Sequence, residues 1–164
     1  MMKAKIENTL NKQINAELYS AYLYLSMSAY FESINLSGFA HWMRVQAKEE
    51  VGHAMRIYDH VVERLGRVNL SGIANPPASW KSPLNAFEDA YKHEQKVTRM
   101  IHDLVDLARQ EKDHATESML QWFIDEQVEE ENQTDVIVQK LRLIKDNTNG
   151  LFMLDHELGK RKEE

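Results

Sequence analysis

The chain has 164 residues, 43% of them apolar, a formal net charge of -6 and no cysteine. That length and apolar fraction support one domain with a real core, and the negative balance excludes a general nucleic-acid binder, which needs clustered Lys and Arg to neutralise phosphate. The absent cysteines exclude disulfides, iron–sulfur clusters, thiolate zinc and cysteine nucleophiles, so a transition metal would sit among carboxylates, imidazoles, carbonyls and waters, a hard set suited to iron or manganese.

The first residues, Met1 to Asn8, lack the apolar core of a secretory signal, and no apolar run approaches membrane-spanning length. A cytoplasmic protein with no membrane partner is the expectation. From Ile6 to Ser33 there is neither Gly nor Pro, which predicts a first long helix ended by Asn35-Leu36-Ser37-Gly38. A second runs from about Phe39 to Leu65, with Gly52 as its one soft spot. Residues 66–82, with Gly66, Gly72 and Pro76-Pro77, read as a connection. Ser82-Pro83 restarts a helix, Ser as N-cap and Pro at the first helical position, and this third helix continues to about Glu111. Asp113 caps a fourth, running to about Lys145, which Asn147-Thr148-Asn149-Gly150 ends. A short apolar fifth helix is expected at about 150–158. Lys160, Arg161 and Lys162, followed at once by Glu163 and Glu164, read as a solvated tail.

Connection length sets the topology. Tight turns make helices one and two antiparallel, and likewise three and four. The middle link of roughly 17 residues reaches up to about 56 Å, against about 40 Å for a helix of about 27 residues. It can cross the whole bundle, leaving helices two and three parallel. Residues 1–164 are expected to form a single domain, with the bundle over about 5–145.

The buried stripes, followed at spacings of three and four, carry the chemistry. They read Ile6, Leu10, Ile14, Glu17, Ala21, Tyr24 on helix one and Met43, Gln46, Glu50, His53, Ile57, Val61 on helix two. Helix three gives Phe87, Tyr91, Glu94, Val97, Ile101, and helix four Leu120, Phe123, Gln127, Glu130, Thr134, Ile137. Each apolar stripe is interrupted near its middle by a carboxylate. Helix midpoints coincide in a bundle whichever way the helices run, so Glu17, Glu50, Glu94 and Glu130 are expected to converge at one level. Buried carboxylates repel and are costly unless protonated or partnered, and a pair of metal ions offsets that. His53 follows Glu50 by three residues and can bind the same ion, a Glu-x-x-His spacing used by di-iron bundles. Tyr24 shares the stripe of Glu17 and stands as a supporting or redox residue. Glu49, Glu126, Glu129 and Glu131 read first as a solvated acidic face, although Glu126, Glu129 and Glu130 share one side of helix four and Glu49 flanks the site. His41, His60, His93, His102, His114 and His156 lack convergent partners and are read as surface residues, and Trp122 as packing.

The segments Glu17-Leu18-Tyr19-Ser20-Ala21-Tyr22-Leu23-Tyr24, Glu49-Glu50-Val51-Gly52-His53-Ala54 and Glu126-Gln127-Val128-Glu129-Glu130-Glu131 resemble the ferritins, most closely the haem-free prokaryotic ones. The resemblance spans essentially the whole chain. It implies an all-α, ferritin-like four-helix bundle with one long crossover and a short fifth C-terminal helix. It assigns Glu17, Glu50 and His53 to a first iron, with Glu50 bridging, and Glu94 and Glu130 to a second, with Gln127 close by. Glu49, Glu126, Glu129 and Glu130 match a third iron site, and Tyr24 matches the family's tyrosine beside the centre. Val51 stands where bacterioferritins carry their haem-ligating methionine, and Gln127 with Glu130 replace their second Glu-x-x-His, so haem is not expected. The implied function is iron storage in a homo-oligomeric shell of 24 subunits, with Fe(II) oxidised by dioxygen or hydrogen peroxide and deposited as ferric mineral.

Two other readings stay open on the residues alone. One is a di-iron or di-manganese oxygenase or peroxidase, for which no extra domain or insertion supplies a substrate pocket. The other is a metal-free helical module, with the stripe phases displaced by one position.

Overall fold

Helix ends fall where local groups satisfy the free backbone donors and acceptors. The computed structural model describes residues 1–163, and its elements are α1 (Ala4–Ser33), α2 (Ser37–Glu63), α3 (Pro83–Gln110), α4 (His114–Ile144) and α5 (Thr148–Leu158). Ser82 Oγ accepts from the Asn85 N–H at 3.0 Å, and Asp113 Oδ1 from the Thr116 N–H at 3.1 Å. Both predicted caps are in place. Asn147 does more than stop α4: its side chain accepts from the Gly150 N–H at 3.0 Å and so starts α5. α1, α2 and α3 each close with a left-handed residue that lets the following N–H reach back. Asn35, Leu65 and Lys112 have φ of 60°, 57° and 56°, and Leu36, Gly66 and Asp113 donate to Phe31, Val61 and Ala108 carbonyls at 3.0, 2.9 and 2.8 Å.

The crossover over residues 64–82 is pinned along one outer face of α1. Arg67 N–H donates to Glu7 Oε2 at 3.1 Å, and Asn69 N–H to Asn11 Oδ1 at 2.7 Å. Asn15 Nδ2 donates to Gly72 O at 3.1 Å, and Ser26 Oγ to Pro77 O. The α1 partners advance at 7, 11, 15 and 26 while the crossover advances at 67, 69, 72 and 77. The link therefore travels with α1, returns the chain to the end where α2 began, and sets α3 parallel to α2. This is the expected bundle with one long crossover.

Two apolar clusters fill the bundle. One joins Met27, Phe31, Phe39, Met43, Phe87 and Leu141. The other joins Ile6, Leu10, Ile57, Ile101, Leu104 and Phe123. Between them lies a buried polar layer: Gln13, Glu17, Gln46, Glu50, His53, Glu94, Gln127 and Glu130. α5 seals the first cluster with Leu154 and Leu158. Its Asp155 Oδ1 accepts from the Gly38 and Phe39 N–H groups at 2.8 and 3.0 Å, capping α2 from a distance in sequence. Gly38 permits that approach, because a Cβ there would stand 1.7 Å from the Asp155 carbonyl oxygen. No helix among the described residues is long and apolar enough to cross a membrane.

The tail departs from the expectation of a solvated end. Arg161 lies over the Trp42 ring at 4.2 Å, donates to Glu49 Oε2 at 2.7 Å, and its carbonyl sits 2.8 Å from His41 Nε2. A guanidinium can lie flat on an indole and still reach a carboxylate, and the turn after α5 supplies the position. Two histidines also leave the surface. His60 is buried, with Nε2 3.0 Å from Thr116 Oγ1. His93 is largely covered, with Nε2 2.7 Å from Ser20 Oγ and its ring against Tyr19 and Tyr24. Burial, joined by the nearby Lys96 charge, holds His93 down at about 4, so it is neutral at neutral pH.

Candidate metal centre

All four long helices deliver a carboxylate to the polar layer, because Glu17, Glu50, Glu94 and Glu130 occupy stripe positions that would otherwise be apolar. The side chains meet in three overlapping groups, each with ligand atoms within 4.8 Å of one another: Glu17, Glu50 and His53; Glu50, Glu94 and Glu130; and His53, Glu126 and Glu130. Glu50 belongs to two of the three. His53 Nδ1 is 3.2 Å from Glu50 Oε2 and 4.0 Å from Glu17 Oε2. Its Nε2 is 3.6 Å from Glu126 Oε1 and 4.0 Å from Glu130 Oε1.

Amide and hydroxyl donors hold the outer edges of this layer. Gln13 Nε2 donates to Glu17 Oε1 at 2.8 Å. Gln46 Nε2 donates to Glu50 Oε1 at 3.0 Å and to Glu130 Oε2 at 2.7 Å. Tyr24 donates to Glu94 Oε1 in a short bond, and Gln127 Nε2 to Glu94 Oε2 and Thr98 Oγ1, both at 3.2 Å. Each carboxylate is thus fixed by a neutral donor, a support that leaves the remaining lone pairs for a cation. Glu17 Oε2 and Glu130 Oε1 are buried acceptors with no hydrogen-bond partner, as is Gln46 Oε1. Buried acceptors without donors are rare in folded proteins, and here two of them are carboxylate oxygens of residues in the ligand groups.

Electrostatics follow from the crowding. Burial raises Glu17 and Glu50 above the usual carboxylate range. Burial and the Glu50 charge push Glu94 up to about 8 and Glu130 well up. Burial opposes charge on His53, but Glu126, Glu50 and Glu17 override it and push the imidazole up to about 11. Tyr24 is raised well above 10.0 by burial and by Glu94, so its hydroxyl stays protonated and can only donate to that carboxylate. Without a cation, the crowding favours the protonated form of Glu94 and Glu130 and the charged form of His53. A divalent ion would displace those protons, since carboxylate and imidazole ligands bind deprotonated.

Glu17, Glu50, His53, Glu94, Glu130 and Glu126 are brought together, with Tyr24 and Gln127 against Glu94. Among the described residues, none of the ligand groups includes Glu49 or Glu129. Glu49 faces Arg161, and Glu129 Oε1 accepts from Gln133 Nε2 at 2.7 Å. Sequence reasoning gave no role to Gln13 or Gln46. A glutamine recurring three or four residues before a stripe glutamate is the signal that marks them. Trp122 packs edge-on to His53 at 5.4 Å with Arg56 over its face at 4.2 Å.

A ferritin-like-domain family profile matches residues 7–144. The chain is 44% identical over 161 residues to a bacterial non-haem ferritin of Bacteroides fragilis, covering 98% of this chain and all of the relative. It is 38% identical to the bacterial non-haem ferritin of Staphylococcus aureus, covering 98% of this chain and 97% of the relative. Among solved structures, it superposes with a TM-score of 0.98 on an open-pore ferritin from the archaeon Archaeoglobus fulgidus, at 55% identity over 99% of this chain and 100% of that one. A closed form of the same ferritin, engineered by mutagenesis, gives a TM-score of 0.99 at 54% identity, with complete coverage of both.

Proposed function

The chain belongs to the ferritin family of iron-storage proteins, and we propose that it stores iron by oxidising Fe(II) at two positions inside each subunit. In this reading Glu17, Glu50 and His53 hold one ferrous ion, Glu94 and Glu130 hold the other, and Glu50 bridges them. The observation that carries it is the pair of carboxylate oxygens without a hydrogen-bond donor, Glu17 Oε2 and Glu130 Oε1, buried in overlapping ligand groups that share Glu50. Tyr24 and Gln127 orient Glu94, and Tyr24 adds an oxidisable ring bonded directly to a ligand.

The reaction balances as a two-electron transfer. Two Fe(II) lose one electron each, and with two protons these reduce dioxygen to hydrogen peroxide, or hydrogen peroxide to two waters. Protons bound to these ligands leave as iron binds. Hard ligands with open positions suit this chemistry. The Fe(III) product then passes to a ferric mineral within a shell of 24 subunits in the cytoplasm. Glu49, Glu126, Glu129 and Glu130 form a third, weaker position beside the pair.

Air oxidation of Fe(II) by the wild type and by Glu50→Ala tests this, with dioxygen and hydrogen peroxide supplied in parallel. The wild type exceeds the protein-free rate with at least one oxidant, and Glu50→Ala falls to that rate. Equal rates for wild type and buffer would end the ferroxidase reading.

A further inference from the structure

Of the expected third-site carboxylates, Glu49 and Glu129 stay outside the ligand groups; Glu49 pairs with Arg161, and Glu129 is linked to it through Gln133. Arg161 Nη2 donates to Glu49 Oε2 at 2.7 Å and lies 3.4 Å from Gln133 Oε1. Gln133 in turn donates through Nε2 to Glu129 Oε1 at 2.7 Å. Arg161 Nη1 donates to the Trp42 carbonyl at 3.3 Å, and its guanidinium covers the Trp42 ring. Nothing in composition required a tail arginine to sit here. It arrives because α5 is fastened to the start of α2 through Asp155 and Gly38, and Lys48 pairs with Glu163 just beyond.

The contact is well covered, with side-chain exposures of 13% for Arg161 and 19% for Glu49, so it is screened less than a surface pair. A guanidinium beside a carboxylate supplies the positive charge that a metal ion would supply. One site cannot hold both cations at full strength.

We propose that Arg161 is an internal competitor for the third metal position, withholding Glu49 directly and Glu129 through Gln133. This rests on the reading of those glutamates as a third site. The bonds within the network give the mechanism: an ion entering beside Glu126 and Glu130 competes with the guanidinium for Glu49 Oε2. The third position is thus set weaker than the pair by a residue of the C-terminal tail, and an ion held there is readily passed on.

Zn(II) titration by calorimetry on the intact assembly tests this without turnover. The variants are Arg161→Met, which keeps an apolar stem over Trp42; Arg161→Lys, which keeps the charge; Glu49→Gln; and the double variant Arg161→Met/Glu49→Gln. Arg161→Met should tighten the third Zn(II) per subunit about tenfold, equivalent to about 1.4 kcal/mol, and leave the first two unchanged. Arg161→Lys should stay near the wild type, and the double variant should lose the gain. If Arg161→Met leaves the third ion unchanged while Glu49→Gln weakens it, the third position stands and the competitor role is overturned. If Glu49→Gln has no effect in either background, Glu49 is not a ligand, and the third-site reading falls together with the proposal. Should Arg161→Met disturb the first two ions, Arg161→Gln carries the same comparison.

Discussion

Replacing Glu94 by Gln should make the metal-free protein more stable and the metal-loaded protein less so. Glu94 is buried, and burial with the Glu50 charge pushes its carboxyl up to about 8, against 4.5 for an ordinary glutamate. Between those values the folded state binds a proton that the unfolded state has released, so stability falls as pH rises through this window. Each tenfold difference in proton affinity between the two states is worth about 1.4 kcal/mol. The penalty is absent below pH 4.5, about 3 kcal/mol at pH 7, and about 5 kcal/mol once pH exceeds 8. The amide that Glu94→Gln introduces can accept from Tyr24 through its carbonyl, and Gln127 can turn its amide to accept from the new one, giving up its Nε2 bond to the Glu94 backbone carbonyl. For a subunit of this size the gain at pH 7 corresponds to roughly 6–12 °C in melting temperature. The assay is thermal unfolding of chelator-treated wild type and Glu94→Gln from pH 5 to pH 8. The difference should be under about 1 kcal/mol at pH 5 and widen with pH. With Zn(II) present the order should reverse, because ligand binding stabilises only a protein that retains the ligands. A metal-free Glu94→Gln less stable than wild type at pH 8 would refute the claim that this layer is electrostatically strained.

The other predictions concern what positions the layer. Gly38→Ala should unseat α5, because the new Cβ meets the Asp155 carbonyl at 1.7 Å; limited proteolysis should cut residues 148–163 first, whereas the wild type resists. Asp113→Ala should cost about 2 kcal/mol, combining a lost N-cap with a lost partner for Arg64. Burial opposes it, but Arg64 and the Thr116 groups hold Asp113 below 3.8, so its contribution is fully present above that pH and is lost as pH falls through the depressed value; chemical denaturation at pH 7 and at successively lower pH should show the difference narrowing only below 3.8. Lys145 ends α4 with φ 51° and ψ -124°, a conformation in which only glycine is unstrained, so Lys145→Gly should raise stability by about 1 kcal/mol in the same assay.

Most of the architecture was legible because punctuation was sparse. Ser82-Pro83 and Asp113 acted as read, and carboxylates interrupting four apolar stripes pointed to one buried layer. What escaped had physical reasons. Asn147 reads equally as a stop or as a cap, and only the continuing helix distinguishes them. Gln13 and Gln46 look like errors of stripe phase until a neighbouring carboxylate gives their amides a partner. His60 and His93 are satisfied by Thr116 and Ser20, from helices whose approach no local pattern encodes. Arg161 was hidden most completely. Its charged neighbours Lys160 and Lys162 suggest a solvated end, whereas its position over Trp42 depends on α5 docking against Gly38.

The anaerobic stoichiometry of Fe(II) binding per subunit, compared between wild type and Glu50→Ala, decides whether the paired centre exists. Glu50 enters two of the three ligand groups, so its removal should take the pair with it. The wild type should hold two ions tightly and the variant none. Two tightly held ions in both would contradict this assignment and move the centre elsewhere.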